Sequence, residues 1–279
     1  MDTIKFDSIY ALGQHVQHLQ AEEAANFSAN RKHGYASTET DNGSYYAGFS
    51  PVGAMDMACN GGNWAEGAAK MPVLDIPHER LDGSPLPIVS LGADIMGFAP
   101  MVPSYLAGIP EDMMTLDEID GENRRLRIAV HVGRVNGTTQ TQAFNRGAAI
   151  VAVLSQLALE GYQLQLSAIW RNTVGRDTAN VETIIKDYAD QFSAESVAFA
   201  LCNLAFQRRL CWRVAESLTN GGANITNSSY GNGRRADFSD YDISYKYLDE
   251  PYDYTRIDNA VALVKAETLE QLTQLTSGA

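Results

Sequence analysis

The stretch Arg124-Arg125-Leu126-Arg127-Ile128-Ala129-Val130-His131-Val132-Gly133 decides the fold of this chain. Leu126, Ile128, Val130 and Val132 fall on one side of it, and Arg125, Arg127, Ala129 and His131 on the other. A period of two is that of a strand, and apolar-polar alternation is that of a strand with one buried face. Thr138 or Thr139 is then placed to cap a long helix that stops at Gly161. Residues 163–170 alternate again, with Leu164, Leu166, Ala168 and Trp170 opposite Gln163, Gln165, Ser167 and Ile169. A strand–helix–strand unit of this length predicts a parallel crossover. A third strand is expected over 181–188. Ser193 is placed to cap a second long helix to about Leu218, with Phe192 and Val197 as a hydrophobic staple.

Working outward, Leu12, Val16 and Leu19 recur at helical spacing and predict a helix over 8–25. Residues 27–49 read as a polar loop. A short helix over 51–59 has Pro51 in its first turn, and a second follows the Gly61-Gly62 break. The proline-rich stretch 72–110 reads as an irregular wrap with short strands near Ile88 and a turn of helix at 103–107. Residues 220–235 form a Gly/Asn/Ser loop, 237–258 are rich in Tyr and Asp, and a last helix covers 258–274. The expected fold is α/β: a mixed sheet with helices mainly on one face and an irregular N-terminal wrap, not an OB fold. It reads as one domain over 1–279, with a helical and irregular portion at 1–120, an α/β core at 124–218 and a C-terminal portion at 220–279.

Charge is distributed unevenly along this frame. The chain of 279 residues carries a formal −13, yet residues 124–213 hold ten Arg and one Lys against six acidic groups. Arg is a planar, always-charged fork suited to phosphate and base edges, so the middle could hold an anionic polymer that the flanks repel. The plain alternative is internal pairing of these arginines with the acidic flanks. No run of eighteen apolar residues is present, so no membrane span is expected. No secretory signal is visible, and Cys59, Cys202 and Cys211 lack CxxC spacing, which fits reduced thiols in a cytoplasm.

Strand alternation turns the charge count into a surface. A sheet covered on both faces has continuously apolar strands, and these strands are half polar. The expected open face carries Arg125, Arg127, His131, Gln163, Gln165 and Ser167, a donor-rich platform of the kind that holds single strands. It supplies no aromatic of its own, so stacking groups would come from a loop or from the tyrosines of 237–258. That segment holds seven carboxylates and five tyrosines, Tyr241, Tyr245, Tyr247, Tyr252 and Tyr254. It could stack on bases, mimic nucleic acid, recruit a partner or pack as an irregular strand. Cover of the face by the N-terminal segment or another subunit is the alternative to a platform. Candidate nucleic-acid contacts are Arg124, Arg125, Arg127, Arg134, Arg146, Arg171 and Arg176. Arg208, Arg209 and Arg213 on the second long helix could add a ridge, and Arg234 and Arg235 end the loop. Gly147, costly inside a helix, predicts close approach by another segment.

Chemistry finds little to work with. The loop Gly133–Thr139 opens a helix N-terminus that could hold a phosphate, but GxxxxGK[ST] and GxGxxG are absent and no nucleotide cofactor is expected. The loop also lacks the carboxylate of a von Willebrand A metal site. His15, His18, His33, His78 and His131 show no metal spacing, and no GxSxG elbow is present. The expectation is a non-enzymatic protein without cofactor or metal.

Three segments, Asn63–Gly67, Val102–Met113 and Asn145–Ile150, resemble a family of tailed-bacteriophage proteins. Within it the chain looks like the single-stranded-DNA-binding cofactors of phage RNA polymerase, of the kind named Drc. The resemblance implies binding of unwound DNA in early transcription, with phage RNA polymerase as a partner, homo-oligomer formation and the cytoplasm of an infected bacterium as location. The rival expectation is a phage structural or adaptor protein whose polar sheet face is an oligomer interface.

Overall fold

The alternating stretch is the strand that its pattern requires. Arg125–His131 is an inner strand of a five-stranded sheet, next to one edge, with parallel neighbours on both sides. The computed structural model describes residues 2–25, 49–71, 91–94, 99–100, 113–116, 125–135, 137–174, 177–190, 193–217 and 238–277.

In chain order the elements are β1 (Asp2–Phe6), α1 (Ile9–Ala25), α2 (Pro51–Cys59), α3 (Ala65–Ala69), β2 (Leu91–Asp94), β3 (Ala99–Pro100), β4 (Met113–Leu116) and β5 (Arg125–His131). They continue with α4 (Gln140–Leu159), β6 (Gln163–Val174), β7 (Asp177–Lys186), α5 (Ala194–Cys202), a π-helical segment (Phe206–Cys211), α6 (Trp212–Ser217), β8 (Ile243–Tyr245), a 3-10 turn (Pro251–Tyr254) and α7 (Ile257–Ser277). The main sheet runs β1-β7-β6-β5-β8; only the β6–β7 pair is antiparallel, so the sheet is mixed. The fold is α/β.

The crossover from β5 to β6 follows from its ends. Thr139 caps α4 through a capping box: its Oγ1 accepts the Gln142 N–H at 3.2 Å, and Gln142 Oε1 accepts the Thr139 N–H at 2.9 Å. Gly161, at φ +91, supplies the left-handed residue that ends the helix. Leu126, Ile128, Val130, Leu164, Leu166, Ala168 and Trp170 all point into one core with α4 and α5. Trp170 and Trp212 meet edge to face at 5.3 Å between ring centroids. Burial of each such side chain contributes about 2–3 kcal/mol.

Three expectations are corrected. The N-terminus is not only a wrap: Asp2–Phe6 is the edge strand of the main sheet, paired in parallel with β7. Alternation of Ile4 and Phe6 is too short for a pattern to stand out. Secondly, the helix expected over 193–218 breaks at Asn203, which is extended (φ −95, ψ 129). Ser193 caps it as expected, but Asn203 Oδ1 accepts the Ala205 N–H at 2.9 Å, and Gln140 bonds the Cys202 carbonyl and the Leu204 N–H. An Asn that competes for backbone groups is the local reason for the break. Finally, the third strand starts earlier than expected, at Asp177, and ends at Lys186. In the proline-rich region, β2, β4 and β3 form a separate antiparallel sheet. Phe192 and residues 103–107 lie outside the described residues.

Gly147 answers to its expectation. A Cβ there would stand 2.5 Å from Cys202 Sγ and 2.8 Å from the Leu201 carbonyl oxygen. The missing side chain lets the end of α5 press against α4.

Candidate nucleic-acid interface

Register sets the polar face. Arg125 pairs with Gln163, Arg127 with Gln165, Ala129 with Ser167 and His131 with Ile169 on β6. Ile169 in turn faces Glu182 on β7, and Arg171 faces Asn180. The described helices pack on the other side, where Leu126, Val130, Trp170 and Val181 are buried. On the polar side the described neighbours are the turn after β7 and residues 238–247.

These two segments bring the aromatics that the strands lack. Arg125 lies over the Tyr188 ring at 5.4 Å from the centroid, and Arg127 over the Tyr241 ring at 5.1 Å. Arg125 Nε also donates to Gln163 Oε1 at 3.2 Å, and Gln165 donates to Asp187 Oδ1 at 2.7 Å. The Asp242 carboxylate accepts the Arg127 backbone N–H at 2.6 Å, and the Asp242 N–H donates to the Arg127 carbonyl at 2.9 Å, which pins the segment to the strand. Tyr241 donates to Glu182 Oε1 at 2.7 Å, and Lys5 pairs with the same carboxylate at 2.8 Å. Burial, then the Glu182 bond and charge, push the Tyr241 hydroxyl up. Hydrogen bonding from Gln165 and from the Tyr188 N–H holds Asp187 below the usual carboxylate range.

The open face is smaller than the alternation predicts. Arg125 and Arg127 are exposed, and Gln163, Gln165 and Tyr188 are half-buried. His131 and Ser167, both expected to be wet, are buried. Phe238 and Tyr247 cover His131, with centroids at 6.2 and 5.8 Å, and its Nδ1 accepts the Gly133 N–H at 2.9 Å. The tyrosine-rich segment thus divides its work: Tyr241 and Tyr247 serve the polar face, while Tyr245 is buried in the core and bonded to Thr268 at 2.8 Å.

The candidate arginines separate into two sets. Arg125, Arg127 and the half-buried Arg171 lie on the polar face. Arg134, Arg146, Arg208, Arg209 and Arg213 are all buried, between 1% and 6% exposed, which removes them from any surface contact with a polymer. The ridge expected of Arg209 and Arg213 faces inward because the π-helical turn buries every residue of Phe206–Cys211; Arg209 Nε donates to the Phe49 carbonyl at 3.3 Å. Arg124, Arg176, Arg234 and Arg235 lie outside the described residues. Tyr188 escaped the sequence reading because a lone Tyr after a strand carries no periodic signal.

The helix mouth at Gly133–Thr139 does not suit a phosphate. The capping box takes the Thr139 and Gln142 N–H groups, and the adjoining cleft of about 530 Å³ is lined also by the carboxylates of Asp249, Glu250 and Asp253, which repel an anion. Among the described residues no group of His, Cys, Asp and Glu has the arrangement of a metal site, and no helix is long and apolar enough to cross a membrane.

The fold and this face define an α/β protein with one helix-covered sheet face and one face of paired arginines and tyrosines. The chain belongs to the family described as a domain of unknown function, DUF7192, which matches residues 3–271. No curated protein and no solved structure matches it.

Proposed function

We propose that the chain binds single-stranded nucleic acid on the polar face of β5, β6 and β7, without performing chemistry. The observation that carries this reading is the pair of exposed guanidinium groups, each over a tyrosine ring, beside the amides of Gln163 and Gln165. Stacking surface, positive charge and amide donors are what a single strand uses. On the sequence resemblance we extend the reading to unwound DNA engaged by a phage RNA polymerase in early transcription.

A second reading rests on charge balance. Lys5, Arg125, Arg127, Arg171 and Lys186 on this side stand against Glu182, Asp187, Asp190 and Asp242, five cations to four carboxylates. A nearly neutral mosaic of Arg, Tyr and Gln also suits contact with a second copy of the chain. Labelled single-stranded and duplex DNA titrated at two salt concentrations separates the two. Two phosphate contacts require affinity to fall by roughly 1.4 log units per log unit of salt, at about 0.7 per contact. No binding at low salt, or equal affinity for duplex, overturns the nucleic-acid reading. Dissociation of an oligomer by Arg125→Ala with Arg127→Ala establishes the interface instead.

A further inference from the structure

A buried guanidinium requires compensation, because burial of a charge is costly unless it is paired and hydrogen-bonded. Arg134 follows β5, where Gly133 and Val135 exchange backbone hydrogen bonds with Leu248 at 3.0 and 2.9 Å. Its side chain is 1% exposed. Nη2 donates to the Leu201 carbonyl at 3.0 Å, at the end of α5. Nε and Nη1 reach no acceptor among the described residues.

The surrounding charges make matters worse. Burial first, then Arg146 and Arg208, push Arg134 down to about 9. Arg146 is held by the carbonyls of His131 and Lys246 and also faces Glu267. The carbonyl end of α5 offers at most about half a unit of negative charge. That cannot neutralise Arg134 with two like charges beside it.

We propose that Arg134, with Arg146 and Arg208 beside it, forms an internal site for a small inorganic anion, a halide or phosphate, bound at Nε and Nη1 of Arg134. The site is independent of the polar sheet face, and its role is to complete the core.

The test uses the full chain in gluconate, a bulky anion, with chloride and phosphate each titrated at constant ionic strength. Thermal unfolding of the unsubstituted protein should rise with one of them, by about 5–10 °C at a hundredfold excess over Kd. Arg134→Met should abolish that dependence while keeping the fold, since an apolar isostere tolerates the buried position. If Arg134→Met fails to fold, Arg134→Lys, which keeps the charge and loses the planar fork, should weaken the response. Crystals grown in the stabilising anion, with bromide in place of chloride, should hold it against Arg134. Equal responses in the parent and the foldable variant, no response to either anion, or density only elsewhere overturns the site.

Discussion

Arg127 and Arg146 lie nineteen residues apart on consecutive elements, yet the two do opposite work. Arg127 is exposed and rests on Tyr241. Arg146 is 6% exposed and ties the end of β5 to Lys246 through two carbonyls. The same contrast holds for the described arginines of the basic middle: a surface set, Arg125 and Arg127, with Arg171 half-buried beside them, against an interior set of five. A count of charge cannot separate them, because guanidinium serves equally as a surface cation and as a buried bundle of donors. Among the described arginines, a functional argument from the basic middle therefore rests on the surface set.

The contrast can be broken most directly at Arg146. Arg146→Ala removes both carbonyl bonds and leaves Glu267, already pushed up by burial, without the guanidinium that draws it down. The expected loss is about 3 kcal/mol in urea unfolding. A loss below about 0.5 kcal/mol would put Arg146 energetically with the surface set. Next in size is Gly147→Ala. Helix propensity favours alanine by about 1 kcal/mol, but the collision with the Leu201 carbonyl and Cys202 outweighs it. A net destabilisation of about 2 kcal/mol is expected; a more stable variant would show that α5 yields without cost.

The interior was more legible than the surface. Leu126, Ile128, Val130, Leu164 and Leu166 gave away the sheet and its buried side, since two-residue periodicity reports directly which face meets the core. A cap at Thr138 or Thr139, which falls on Thr139, and the close approach at Gly147 were readable because each has a local cause. Arg208, Arg209 and Arg213 misled for the same reason in reverse. Their spacing is compatible with an exposed face, and nothing local announces that a break at Asn203 and a π-helical turn roll them inward. His131 and Ser167 misled because alternation reports which side a residue is on, not what later segment covers that side. Phe238 and Tyr247, which cover His131, arrive more than a hundred residues after it.

Tyr241 probes that covering segment. Tyr241→Phe removes the bond to Glu182 and should cost about 1 kcal/mol at neutral pH. Its pH signature is sharper. The hydroxyl is raised in the folded state, so the folded protein holds this proton more tightly than the unfolded chain. The associated stability is complete below the ordinary tyrosine value of about 10 and is lost as pH rises through the folded value. Stability curves of the parent and the Phe variant should therefore draw together above about pH 10. Curves that stay parallel there would show that folding does not raise the Tyr241 hydroxyl.

The smallest effect on stability, and the one that decides function, belongs to Arg125 and Arg127. Each rests on a tyrosine at an exposed site, a contact worth about 0.5 kcal/mol. Arg125→Ala and Arg127→Ala together should then cost no more than about 1 kcal/mol, while single-stranded DNA affinity falls and its salt dependence flattens. Lysine at both positions separates the two things the guanidinium does. It keeps the charge and gives up the plane that stacks on tyrosine and base. If phosphate attraction dominates, the lysine pair retains most of the affinity and the full salt slope. If stacking dominates, affinity falls nearly as far as with alanine while the slope is kept. Unchanged affinity in the alanine pair would take the binding surface away from this face, and the exposed arginines would then serve the contact with a second copy.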